Sequence, residues 1–276
     1  MRRYVLVVFA GGALAACTLL TPLDGLMEGS PEAGVSPTEA GAADGPADTG
    51  TGDVVVDVDA EASVPFCTTV TGAALCADFD DGKAPPAPFD SVALNGVANT
   101  LTYDSADSVS RPRSLFITGG PSTSGNTSAG LRWRTPTIAS EVTVDFDFKA
   151  EQIGEKPFDL VNFVRAGYEL SVEIAPTSQL QFDSQIPDGD GGVIDGINKL
   201  TANAAATWKH LRWVAKKDVS SRFKVEVFVD DVTVGTTTIN QTLFLGQPNV
   251  EVGDLALEPS SPPWKVRMDN VVFRVK

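Results

Sequence analysis

Residues 207–234, TWKHLRWVAKKDVSSRFKVEVFVDDVTV, constrain the fold more than any other stretch of this chain. Three short runs alternate apolar and polar residues, with polar turns between them. In the first, Leu211, Trp213 and Ala215 share a face. In the second, Phe223, Val225, Val227 and Val229 share one face, and Lys224, Glu226, Phe228 and Asp230 take the other. Asp230-Asp231 makes a tight turn, and Val232 and Val234 begin the return. A period of two means strands with one buried and one wetted face, because successive side chains leave a pleated backbone on opposite sides.

The same period recurs upstream. Val142, Val144, Phe146 and Phe148 alternate with Glu141, Thr143, Asp145 and Asp147. Tyr168, Leu170, Val172 and Ile174 alternate with Glu169, Ser171 and Glu173. Residues 75–80, 99–103, 114–118, 130–134, 180–182, 250–257 and 265–275 read as further strands, and 158–165 as a continuously apolar central one. Residues 82–88, 119–126 and 187–196 read as loops. Residues 197–207, INKLTANAAAT, are the best helix candidate, at one or two turns. About a dozen strands separated by turn signals indicate an all-β fold, an antiparallel two-sheet sandwich over residues 64–276.

Ahead of that domain the chain changes character. Arg2 and Arg3 precede an apolar run at 4–14 and then small residues. This is the layout of a secretory signal, too short for the ~20 residues that span a bilayer. Residues 18–63 hold ten acidic residues, no Lys or Arg and no aromatic. Such a segment cannot bury enough apolar surface to offset its ordering entropy, and it reads as a disordered acidic linker. The formal net charge of the whole chain is -15, which excludes nucleic acid as a partner because a polyanion would be repelled. Cys67 and Cys76 form an even pair in an exported domain and read as a disulfide. Closing so short a loop is worth roughly 2–3 kcal/mol on the chain-entropy view.

Two resemblances sharpen this. Leu14-Ala15-Ala16-Cys17 resembles the lipobox of bacterial lipoprotein signal peptides. The resemblance implies removal of residues 1–16 and a lipid-bearing Cys17 that anchors the protein to a membrane. Thr18, where an aspartate would favour the inner membrane, implies the outer one. Trp208, Phe228, Val229, Asp230 and Asp231 are similar to a pattern in laminin-G-like and concanavalin A-like jelly rolls, with Asp231 where Gly is usual. Met268-Asp269-Asn270-Val271-Val272 resembles the final strand of such domains, which pairs near the first. LCADFDDG at 75–82 is of a kind that opens them. The likeness covers residues 65–276 and implies a jelly-roll sandwich, a fold that hosts lectins, glucanases and adhesion modules.

On this reading the domain is expected to be a non-catalytic binding or adhesion module for glycan or a cell-surface protein. Trp264, Phe228 and Tyr103 are the candidate sugar-stacking residues. The alternatives are a glycan hydrolase and a purely structural surface protein. Jelly-roll glucanases carry E-x-D-x-E on one strand, so that all three side chains share a face. The run Glu141, Thr143, Asp145, Asp147 lacks the second glutamate, and Glu169, Ser171, Glu173 lacks the central aspartate. Asp188, Asp190 and Asp195 in a glycine-rich loop offer hard oxygen ligands for a candidate Ca²⁺ site, with no other cofactor expected. His210 is the sole histidine, and no G-x-S-x-G elbow accompanies it, so serine-triad hydrolysis is not expected.

Overall fold

Where the sequence alternates, the backbone is extended and its apolar side chains turn inward. A computed structural model of the protein describes residues 64–276, apart from 97, 121–126, 139, 166–167, 188–192, 220–221, 241–246 and 258–261. These residues hold one short helix, α1 (Phe66–Thr69), and fifteen strands. The first five are β1 (Leu75–Ala77), β2 (Ser91–Asn95), β3 (Thr100–Asp104), β4 (Ser114–Gly119) and β5 (Thr127–Arg134). Then come β6 (Glu141–Gln152), β7 (Phe158–Arg165), β8 (Tyr168–Ile174), β9 (Gln179–Pro187) and β10 (Val193–Asn203). The last are β11 (Lys209–Lys217), β12 (Arg222–Val229), β13 (Val232–Asn240), β14 (Asn249–Leu257) and β15 (Trp264–Val275).

They form two antiparallel sheets. The eight-stranded sheet runs β13-β12-β11-β6-β15-β4-β3, with β1 also paired to β15. The seven-stranded sheet runs β10-β9-β8-β7-β14-β5-β2. This is the two-sheet jelly-roll sandwich expected from the alternation. Val142, Val144, Phe146 and Phe148 of β6 are wholly buried, as are Leu211 and Ala215 of β11. Three aromatic pairs bridge the sheets. Phe163 of β7 stacks on Trp213 of β11 at 4.4 Å between ring centroids. Trp133 of β5 meets Phe273 of β15 at 5.2 Å, and Phe158 of β7 meets Trp264 of β15 at 5.4 Å. Each such ring removes about 150–250 Å² from water, so these pairs dominate the energetics of the interior.

The ends of the domain are tied together as the resemblance implied. Leu75, Cys76 and Ala77 pair with Phe273, Val272 and Val271. Cys67 and Cys76 are disulfide-bonded with their Cα atoms 5.7 Å apart, which fastens α1 to β1. The meander closes at Asp230 and Asp231, both in the left-handed region (φ 50 and 63). A two-residue hairpin turn needs positive φ at both central positions. Aspartate tolerates this conformation, which explains its presence where glycine is usual.

Two expectations change. Residues 197–207 do not form a helix: β10 runs to Asn203 and pairs with β9 from Val193↔Pro187 to Lys199↔Gln181. Intrinsic helix preference is a weak force. The ladder to β9 satisfies the backbone and seats Leu200 in the core, with Ile197 left outside. The expected loop at 187–196 shrinks accordingly, since β9 ends at Pro187 and β10 begins at Val193. Strand β2 had no sequence signal because it has no buried side chain to alternate.

Gly253 of β14 has φ +86, and a Cβ there would lie 2.7 Å from the Ala129 carbonyl oxygen and 2.7 Å from Ile117 Cδ1. Strain and overpacking combine, so Gly253→Ala should cost about 3 kcal/mol. Urea unfolding should show a lower midpoint at unchanged slope.

Candidate active site

A filled sandwich leaves its chemistry to the two outward faces. On β8, Leu170, Val172 and Ile174 point into the core, so Glu169, Ser171 and Glu173 point out. Strand register sets their neighbours. Ser171 lies beside Asn162 of β7 and Asp183 of β9. Glu251 of β14 lies beyond Asn162, and Arg132 of β5 beyond Glu251. Gln181 of β9 faces Glu173. Outward polar side chains of a sheet are ordinarily wet. Here Asn162, Ser171 and Glu251 are each 3% exposed, and Glu173 and Gln181 7%. The centre of the seven-stranded sheet's outward face is therefore a closely packed polar layer.

Three carboxylates there have partners. The Gln181 amide donates to Glu173, and the Asn162 amide donates to Glu169. Arg132 clasps Glu251 through Nε at 2.8 Å and a terminal nitrogen at 2.7 Å. Loss of water raises the Glu173 pKa above the usual glutamate value. The negative charges of Asp183 and Glu169 add to the rise, against the Gln181 hydrogen bond. Desolvation also raises Glu251, despite the pull of Arg132. A carboxyl of raised pKa beside another carboxyl can divide the labour of an acid–base pair.

Glu169 and Glu173 sit four residues apart on one strand, roughly 13 Å between Cα atoms. Asn162 lies level with Ser171, so its hydrogen bond draws the Glu169 carboxylate toward that middle row. Glu173 is hydrogen-bonded to Gln181, which lies level with it on β9. Ser171 takes the middle position where the glucanase pattern has aspartate. The sequence displays all three residues. What it does not display is their burial, which comes from partners on four other strands.

The outward face of the eight-stranded sheet carries a cleft of about 780 Å³. Asp145 and Asp147 of β6, His210 and Arg212 of β11, and Asn270 and Arg274 of β15 line it. His210 Nδ1 is 2.9 Å from Asp147, a hydrogen bond, and Nε2 is 3.7 Å from Asp145, a charge contact. Arg274 donates to Asp145 at 2.7 Å, and Asn270 donates to Asp147 at 2.8 Å. Asp145 and Asp147 together push the His210 pKa up to about 9, so the imidazole is a cation at neutral pH.

The remaining candidates fall in several places. Trp264 is a core residue, fully buried against Phe158 and donating to the Lys156 carbonyl; it is not an exposed platform. Tyr103 packs on Phe79 and donates to the Ala87 carbonyl. Phe228 is half-buried beneath the Arg212 guanidinium, 4.7 Å from ring centroid to Cζ, at the margin of the cleft. Cys17, Asp188 and Asp190 lie outside the described residues. Asp195 belongs to β10 and pairs with Gln185, where a loop had been expected. Among the described residues no group of three or more His, Cys, Asp or Glu is placed to hold a metal ion.

No protein-family model matches the sequence, and no curated protein matches it. Solved structures do share its fold. The endo-β-1,4-glucuronan lyase of the fungus Trichoderma reesei superposes with a TM-score of 0.60 at 15% identity, over 74% of this chain and 96% of that one. The cellulose induced protein Cip1 gives 0.52 at 12% identity, over 73% and 97%. A structure from work on endo-acting O-glycanases, with which members of the human gut microbiota initiate mucin breakdown, gives 0.50 at 13% identity, over 74% and 99%. Likeness at these identities shows the fold alone, a jelly-roll sandwich of the concanavalin A-like kind. It also corrects the expectation of a non-catalytic module, because this sandwich is shared with enzymes that break down polysaccharides.

The sole histidine supplies a clean test of the cleft. Its folded pKa is raised, so the stability it contributes is complete below about 6.5 and lost as pH rises through about 9. The single imidazole proton resonance should titrate near pH 9, and in Asp147→Asn it should titrate lower.

Proposed function

We propose that this protein cleaves a polysaccharide by acid–base hydrolysis at the outward face of the seven-stranded sheet. One observation carries the reading: Glu169 and Glu173 share an outward face of β8, and burial raises the pKa of Glu173. Glu173 gives its proton to the glycosidic oxygen as the bond to the leaving sugar breaks. Glu169 supplies the carboxylate that stabilises the developing positive charge at the anomeric carbon; water then adds to that carbon, its hydroxyl completing the new reducing end and its other proton returning to Glu173. Asn162 and Gln181 orient the pair, and the Arg132–Glu251 bridge holds the floor beside them. The presence of polysaccharide-cleaving enzymes among proteins of this fold agrees with the reading.

The test is release of reducing ends from a panel of polysaccharides by the full protein. Glu173→Gln and Glu169→Gln should each lose about 10²–10⁴-fold in rate while far-ultraviolet circular dichroism stays unchanged. Glu173 must be protonated to act, so activity should fall as pH rises through its elevated pKa. Full activity in Glu173→Gln, or products with unsaturated ends, which mark elimination, would overturn the mechanism.

We also propose that the enzyme is exported and held at the outer membrane by lipid on Cys17, with residues 18–63 as tether. The signal-like residues 1–16 and the lipobox-like Leu14-Ala15-Ala16-Cys17 support this. Cys17→Ser should shift the protein from the membrane fraction to the soluble fraction and abolish labelling by radioactive palmitate.

A further inference from the structure

We infer that the cleft on the eight-stranded sheet is a second, non-catalytic glycan-binding site that grips a sugar ring by its hydroxyls. Its volume, about 780 Å³, falls in the range of small-molecule sites. Its polar lining is of planar groups. Asp145 and Asp147 offer paired acceptors, Arg212 and Arg274 paired donors, and Asn270 one of each. Vicinal hydroxyls each donate and accept, and such planar pairs fit them two at a time. Phe66 and the exposed Val109 line the same cleft, giving apolar surface for the C–H edge of a ring.

The groups are ordered by one another. The Asp145 and Asp147 side chains are only 14% exposed, braced by Arg274, His210 and Asn270. Asn270 marks the cleft as built for use. It is 5% exposed and left-handed in a central strand (φ 52), where β15 slips in register against β6 between Asp269 and Val272. Bulges of this kind re-aim a side chain at the cost of ladder regularity, and backbone outliers concentrate at functional sites. Asn270 Nδ2 reaches Asp147, while its Oδ1 is buried with no hydrogen-bond partner.

Two features decide the ligand class. The two carboxylates face an imidazolium and two guanidiniums, one of which is paired with Asp231 at 3.2 Å. Charge is thus nearly compensated inside the cleft, and a ligand rich in hydroxyls fits better than an ion. His210 carries its proton and both carboxylates are engaged, so no free base is poised for catalysis.

The test uses the full protein carrying Glu173→Gln, which leaves glycans intact. Affinity electrophoresis against β-glucan, xylan, galactan, chitin oligosaccharides and mucin O-glycans finds a ligand, and the ring protons of His210 report on the cleft alone. The expected result is retardation by at least one glycan, with a matching shift of the His210 signals. Asn270→Ala or Arg274→Met added to Glu173→Gln should weaken retention about tenfold and remove the shift. The half-buried Arg212→Gln serves if either fails to fold. In a chain with Glu173 intact, Asn270→Ala should hydrolyse short soluble substrates at the parent rate, which separates this site from the glutamates of β8. Retention without movement of the His210 signals, retention unchanged in all three variants, or no retention by any glycan would overturn the proposal.

Discussion

The two sheets share a single dry interior, and nearly everything else about this protein follows from keeping it closed. Phe163 on Trp213, Trp133 on Phe273 and Phe158 on Trp264 span the gap at three places. Because strands alternate, filling the inside fixes which residues stand outside, strand by strand. Glu169 and Glu173 are outward because Leu170, Val172 and Ile174 are needed inward. Asp145 and Asp147 are outward because Val144, Phe146 and Phe148 are inward. A register slip of one residue on either strand would send carboxylates into the core, at a cost no ion pair there could offset.

The two outward faces solve the problem of buried charge in opposite ways. On the eight-stranded side, cations answer the carboxylates: Arg274 for Asp145, and His210 for both aspartates. On the seven-stranded side, two neutral amides hold Glu173 and Glu169, and Arg132 holds Glu251. Charge-assisted bonds are roughly twice as strong as neutral ones. At both Glu173 and Glu251 desolvation outweighs the partner, the Gln181 amide in one case and the Arg132 guanidinium in the other.

Much of this was legible in the sequence. Strict alternation gave the sandwich, the meander and the inward residues, and LCADFDDG with MDNVV gave the pairing of the first and last strands. The Cys67–Cys76 pair and the Asp230-Asp231 turn could be read directly. Three things were not legible. β10 has the composition of a weak helix and becomes a strand only because β9 offers it a ladder. Trp264 follows prolines and serines in a stretch that resembles a surface loop, yet it fills the core against a residue over a hundred positions away. The value of Glu169 and Glu173 depends on Asn162, Gln181, Asp183 and Glu251, which reach them only through long-range pairing. A missing aspartate in a local pattern outweighed them when the pattern was all there was to see.

Val64, the first described residue, lines the cleft of the eight-stranded sheet together with Phe66. The Cys67–Cys76 disulfide just beyond fastens α1 to β1, and so holds Phe66 in the wall of that cleft. Reducing that bond would therefore loosen one side of the cleft while leaving the paired sheets and their filled interior in place.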